Sequence, residues 1–187
     1  MINELNGDYK NKLLNRFDDS FKNIVDNLVE INVKYYNFNN EISNGTLICN
    51  RLIADKLINI FNELFENKYK IEKINLIDDY DFNDILSMED NNTSCFNYRK
   101  IINTDKLSLH SYGLYGLAVD INPLYNPCCL KNGVILPWNG EKYYNRFNNF
   151  EHKIDTNDLC YKLFIKNGFE WGGLWSFQDY HHFQYKK

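Results

Sequence analysis

Three features of the sequence predict an α+β fold: apolar stripes with helical spacing, short alternating runs that read as strands, and the lack of a regular strand-helix alternation between them. The first stripe is Leu13, Leu14, Phe17, Phe21, Ile24, Val25 and Leu28. Its three- and four-residue intervals predict one N-terminal amphipathic helix over about 8–30. Val33 and Tyr35 then alternate with polar neighbours as in a short strand, and Leu57, Ile58, Phe61, Leu64 and Phe65 form a second helical stripe. Ile71, Ile74, Leu76 and Ile77 suggest another strand. A third helix carries Leu159, Cys160, Leu163 and Phe164, with Asp155 or Thr156 placed to cap it and Asn167-Gly168 to stop it. Strands are predicted on either side of it, from Leu117 to Asn122 and from His181 to Tyr185.

The 187 residues, 44% of them hydrophobic, can close one sizeable core but hardly two, and no repeat or low-complexity linker divides them, so a single domain over 1–187 is expected. A net charge of -4 gives no basic footprint for nucleic acid. No apolar run approaches the ~20 residues of a membrane span. The opening MINELNGDYKNKLLNRF carries charges and asparagines where a signal peptide would be apolar, so a cytoplasmic location, or release to a cell wall by another route, is expected. Cys49, Cys95, Cys128, Cys129 and Cys160 form no C-x-x-C pair and are odd in number, which predicts reduced, partly buried thiols, not a disulfide framework.

The chemistry concentrates in two glycine- and aromatic-rich segments that hold three of the four histidines. In the first, Ser108-Leu109-His110 leads to Leu117-Ala118-Val119-Asp120-Ile121-Asn122. Strand alternation sends Leu117, Val119 and Ile121 into the core and presents Asp120 on the other side, with small Ala118 beside it. In the second, Asp179 precedes His182 by three residues. His182 and Gln184 share one face, Phe183 and Tyr185 the other, and His181 is expected to point away from His182. Two histidines and a carboxylate leave the fourth position of a tetrahedral zinc open for water, and a further carboxylate can take the water's proton. Spacing alone favours a hydrogen-bonded structural role for each residue over a zinc site, because nothing local brings together residues so far apart in sequence. His152 lies in a polar stretch and is read as surface, and Trp171 and Trp175 either line a groove or pack on the sheet.

At these residues the sequence resembles the zinc D-alanyl-D-alanine carboxypeptidase family, whose pattern is S-x-H-x-x-G-x-A-x-D followed later by a carboxylate, two residues and a His. The run Asn92-Thr93-Ser94-Cys95-Phe96-Asn97-Tyr98-Arg99 resembles the family's Asn-Thr-Ser-x-Phe-Asn-x-Arg segment, and Asp120-Ile121-Asn122-Pro123-Leu124-Tyr125-Asn126-Pro127 its D-I-N-P-x-x-N-P. The similarity runs over roughly 30–185. It implies a central antiparallel sheet flanked by helices, the fold shared by these DD-peptidases and the Hedgehog signalling domain. It also implies Zn2+ held by His110, Asp120 and His182, Asp179 as general base, Arg99 stabilising the oxyanion, and Ser108 near the substrate. The sequence departs from the pattern at one place: His110 and Asp120 stand ten apart, because Tyr112-Gly113-Leu114 is followed by a similar Tyr115-Gly116-Leu117, an insertion of about three residues. Gly113 and Gly116 are expected to let the surplus bulge outward.

The resemblance implies a peptidase acting next to a D-amino acid in a peptidoglycan peptide; the oligomeric state is left open, with a monomer favoured. Whether it cuts D-Ala-D-Ala or L-Ala-D-Glu is left open. The alternative from another class is a zinc-containing binding module without turnover. The insertion favours it; retention of Asp179 and Arg99 argues against it.

Overall fold

The computed structural model describes residues 2–16, 21–98 and 112–186. They form a mixed fold of helices and small antiparallel sheets. The first sheet joins β1 (Ile2–Glu4), β2 (Leu28–Tyr36) and β3 (Ile42–Asn50) in that order.

The single N-terminal helix expected over 8–30 is replaced by three elements: α1 (Gly7–Arg16), α2 (Lys22–Val25) and the start of β2. Phe17 lies outside the described residues. From Leu28 a different periodicity wins, because Val29, Ile31, Val33 and Tyr35 alternate with Glu30, Asn32 and Lys34, and β-branched residues suit a strand. Leu28 itself pairs with Asn50 in the ladder and remains buried, on the sheet face opposite Val29.

Helix α3 (Arg51–Glu66) follows the second stripe, burying Ile53, Ala54, Leu57, Ile60, Phe61 and Leu64. Asn50 caps it, accepting a hydrogen bond from the Leu52 amide at 3.1 Å. Beyond it, the strand expected around Ile71 to Ile77 does not form: only single bridges occur, at Lys70 and Lys73, before a 3-10 turn over Ile77–Tyr80. The backbone there is satisfied by side chains instead of a neighbouring strand. Asn122 accepts from the Glu72 amide and donates to the Lys70 carbonyl, while Asn92 does the same for the amide and carbonyl of Asn75. Both asparagines are buried, so the D-I-N-P and Asn-Thr-Ser runs hold this segment to the body of the protein.

After α4 (Asp84–Glu89), the second sheet is built from β4 (Ala118–Asp120), β7 (Phe169–Trp171) and β8 (His182–Tyr185) in the order β4-β8-β7. A two-stranded sheet pairs β5 (Cys128–Cys129) with β6 (Ile135–Leu136). Among the described residues the strands are therefore divided over three small sheets, where one central sheet was expected. The predicted strands at 117–122 and 181–185 are present but shorter: Asn122 adopts φ +46°, which ends β4, and His181 sits in the turn before β8.

Helix α5 (Leu159–Lys166) stops at Asn167-Gly168 as expected, with Gly168 at φ +88°. Its cap is Asp158, not Asp155 or Thr156. The Asp158 carboxylate accepts from the Cys160 amide at 2.8 Å and from the Tyr69 hydroxyl at 3.1 Å. Phe164 stacks on Phe183 with centroids 4.3 Å apart, and one hydrophobic cluster joins α3, α5 and both three-stranded sheets. Burying each such ring contributes roughly 1.5–3 kcal/mol.

Burial raises the pKa of Asp158 to about 6, outweighing the hydrogen bonds that lower it. A carboxyl group with a raised folded-state pKa contributes stability below its unfolded value, and that contribution is lost as pH rises through the folded value. Stability should therefore fall between about pH 4 and 6 on account of this group, by on the order of 3 kcal/mol. Asp158→Asn keeps a capping oxygen and should remove that part of the slope. Urea unfolding of both proteins at pH 4 and pH 7 checks it; equal pH slopes would refute the assignment.

Candidate active site

The register of β4 against β8 sets Asp120 directly opposite His182, and Ala118 opposite Gln184. Directly opposed residues in an antiparallel ladder project to the same face. The consequence is a contact of 2.7 Å between Asp120 Oδ1 and His182 Nδ1. On the reverse face, Val119 and Phe183 are fully buried, so the apolar half of each strand's alternation anchors the polar half. The alternation read for both strands thus holds. Burial works against charge on His182, yet the Asp120 carboxylate outweighs it and raises the imidazole's pKa.

This pair lines a pocket of roughly 280 Å³ together with Asp179, His181, Gln184, Cys128 and Trp175. Asp179 is brought there by a bridge to Cys128 and by its amide, which donates to the Gly172 carbonyl at 3.0 Å. Gly172 is needed at that point, since a Cβ would stand 2.6 Å from the Asp179 carbonyl oxygen. Trp175 is partly exposed, with its ring 5.5 Å from that of His182, whereas Trp171 is buried and donates its indole N–H to the Tyr180 carbonyl. The two tryptophans take the two fates that the sequence left open.

His181 does not point away from the site. Strand alternation does not govern it, because β8 begins one residue later. From the preceding turn its buried ring reaches the Asn126 carbonyl through Nδ1 at 2.8 Å and approaches Asp179 Oδ1 to 2.9 Å through Nε2. Burial opposes its charge, but Asp179 and then Asp120 override this and hold its pKa up at about 10. Asp179 Oδ1 is nonetheless buried without a hydrogen-bond donor among the described residues, because the His181 contact lacks the directionality of a hydrogen bond.

His152, read as surface, is also placed otherwise. Its ring stacks on Phe38 with centroids 3.6 Å apart and meets Tyr125 edge-on, and its carbonyl accepts from Asn126. Burial lowers its pKa. Its position depends on an aromatic cluster assembled from distant parts of the chain, which its polar neighbours in sequence did not signal.

Of the remaining expected site residues, Arg99, Ser108 and His110 lie outside the described residues. Asp90, nine residues before Arg99, is engaged by Lys73 at 2.7 Å and by the Tyr80 hydroxyl at 2.6 Å. Asn97, two residues before Arg99, was not singled out from sequence. It lines the pocket with its Oδ1 buried and unpartnered among the described residues.

The insertion does not bulge outward. Tyr112–Tyr115 forms a 3-10 turn that buries Gly113 and Leu114, the latter within the cluster of Phe21, Leu28 and Phe96. Gly116, at φ +65°, then offers its carbonyl to the Asn50 amide at 2.8 Å. Apolar burial of Leu114 and satisfied backbone groups favour this inward turn over a solvated loop.

With this geometry in hand, comparison with known families gives one match: residues 102–185 fit the D-alanyl-D-alanine carboxypeptidase family model. Over these residues, somewhat less than half of the chain, the sequence is similar to that family of peptidases. No curated protein and no solved structure matches significantly. The matched segment includes Ser108, His110, Asp120, Asp179 and His182, whereas Arg99, the Asn-Thr-Ser run and the first sheet precede it. The similarity read over 30–185 is thus matched only from 102 onward. Metal is a cofactor that residues of this kind can accept: a carboxylate and an imidazole already meet at 2.7 Å, and a buried carboxylate oxygen lacks a donor beside them. No helix among the described residues is long and apolar enough to cross a membrane.

Proposed function

We propose that the chain is a zinc-dependent peptidase that hydrolyses a peptide bond next to a D-amino acid in bacterial cell-wall peptides. His110, Asp120 and His182 would hold the metal, and the domain would be a single one of the Hedgehog/DD-peptidase type. The observation that carries the reading is the Asp120–His182 pair, held across one ladder beside Asp179, within residues that match a peptidase family. Zinc bound there would supply a Lewis acid for the scissile carbonyl and lower the pKa of a water toward ~7. Asp179 accepts the proton of the attacking water and passes it to the leaving amine. Arg99 stabilises the negative charge on the carbonyl oxygen in the transition state, and Ser108 orients the substrate. Trp175 and Gln184 bound the space that the peptide occupies.

The test of the chemistry is incubation of the zinc-loaded protein with defined muropeptides, with products identified by mass spectrometry. Release of D-Ala or cleavage after L-Ala supports the reading, and intact substrates throughout would favour a binding module. A separate measurement addresses the metal. His182→Ala is expected to lose one equivalent of zinc after dialysis relative to the unsubstituted protein, since it removes one of three ligands. Identical zinc contents in the two proteins would show that His182 is not a ligand.

A further inference from the structure

On the Asp179 side of the pocket, three potential ligands come from separate elements. Cys128 lies on β5, Asp179 on the bridge to it, and His181 in the turn before β8. One ligand atom from each, the thiol sulfur, a carboxylate oxygen and an imidazole nitrogen, all fall within 4.8 Å of one another.

The hydrogen bonding of His181 says how its ring is used. A backbone carbonyl can only accept, so the contact of Nδ1 with the Asn126 oxygen at 2.8 Å places an N–H on Nδ1. This leaves Nε2 facing Asp179 Oδ1 at 2.9 Å. A proton on Nε2 would donate along the ring plane, but the contact lacks that directionality and Asp179 Oδ1 remains without a donor. Once the Nε2 proton is released, two electron-pair donors face each other in a buried place with a thiol beside them, and a metal cation can take that proton's place. A metal-ligating histidine commonly shows this arrangement, its second ring nitrogen fixed by donation to a backbone carbonyl.

From this we infer a second metal-binding site, formed by Cys128, Asp179 and His181 and suited to zinc or another thiophilic divalent cation. Thiolate, imidazole and carboxylate together match the ligand preferences of zinc, and binding releases the thiol proton. Ligand atoms around a tetrahedral zinc stand roughly 3.3–3.7 Å apart, so side-chain movements of about an ångström close the site. Occupation would engage the carboxylate of Asp179. It follows that excess metal inhibits hydrolysis, a consequence that rests on Asp179 acting as the base; the site itself does not rest on it.

The test is titration of cobalt(II) into the metal-free, reduced full-length protein, followed by near-ultraviolet absorption. Thiolate-to-cobalt charge transfer is expected in the unsubstituted protein, in Cys129→Ser and in His182→Ala, and its loss, with one equivalent of bound cobalt, is expected in Cys128→Ser. His181→Gln keeps the thiol and is expected to weaken this cobalt binding at least about tenfold, which serves if Cys128→Ser folds poorly. Absence of thiolate absorption at saturating cobalt, or its persistence in Cys128→Ser, would overturn the inference. In the same series, excess zinc should inhibit the unsubstituted protein and not Cys128→Ser. A protein that shows the cobalt spectrum but cleaves no muropeptide at any zinc level would refute the proposed hydrolysis and leave the metal site standing.

Discussion

Asp179→Ala is expected to lower turnover of a D-amino-acid-containing peptide by about 10²- to 10⁴-fold, the usual effect of removing a general base. Zinc held through His182 should be retained in this variant, because Asp179 acts on the water and is not one of the three ligands proposed for the catalytic metal. The structure makes the substitution informative. Asp179 is positioned largely through its own backbone, by the Gly172 carbonyl and the bridge to Cys128, so truncating the side chain leaves the Asp120–His182 ladder pair in place. Steady-state kinetics and metal analysis on the same preparation decide the matter. Undiminished turnover, or loss of the metal that His182 holds, would contradict the assigned role.

The second large effect is on stability. Asn126→Ala is expected to destabilise the fold by roughly 3–5 kcal/mol, because buried groups would be left without partners. Asn126 is fully buried and uses its whole amide: Nδ2 donates to the carbonyls of Asn122 and His152, and Oδ1 accepts from the Ile154 amide at 2.8 Å and from Arg146 at 3.0 Å. Arg146 also donates to the carbonyls of Tyr125, Tyr143 and Ile154, and burial lowers its pKa to about 10. Losing Asn126 therefore exposes a buried guanidinium to a missing acceptor as well as stranding an amide. Because the Asn126 carbonyl fixes His181, the loss should reach the pocket too. Urea unfolding measures the first effect, and a change below about 1 kcal/mol would show that water or a neighbour replaces the amide.

Both residues were legible in the sequence, but not equally. Asp179 stood out by its spacing from His182, a local relation that survives folding. Asn126 was visible only as part of a motif, and its work is done entirely through residues distant in sequence, such as Ile154 and His181. The same division runs through the fold. The stripe that became α3 and the alternation of Val119 and Phe183 are periodic over their own few residues, so they could be read directly.

What the sequence by itself determined was the α+β class, helices α3 and α5, the apolar and polar faces of β4 and β8, and the likeness of residues 102–185 to a peptidase family. Tertiary structure alone decided where periodicities compete or end. Leu28 continues a helical stripe and also opens a strand, and its pairing with Asn50 of β3 settles it as strand. His181 and His182 differ by one position, and the point at which β8 begins puts both at the pocket. Leu114 could have been carried outward on an inserted loop, but the cluster around Phe21 and Phe96 offers it burial. Cys128 joins Asp179 only through a bridge between strands roughly 50 residues apart, a register set by long-range pairing and invisible to any local pattern.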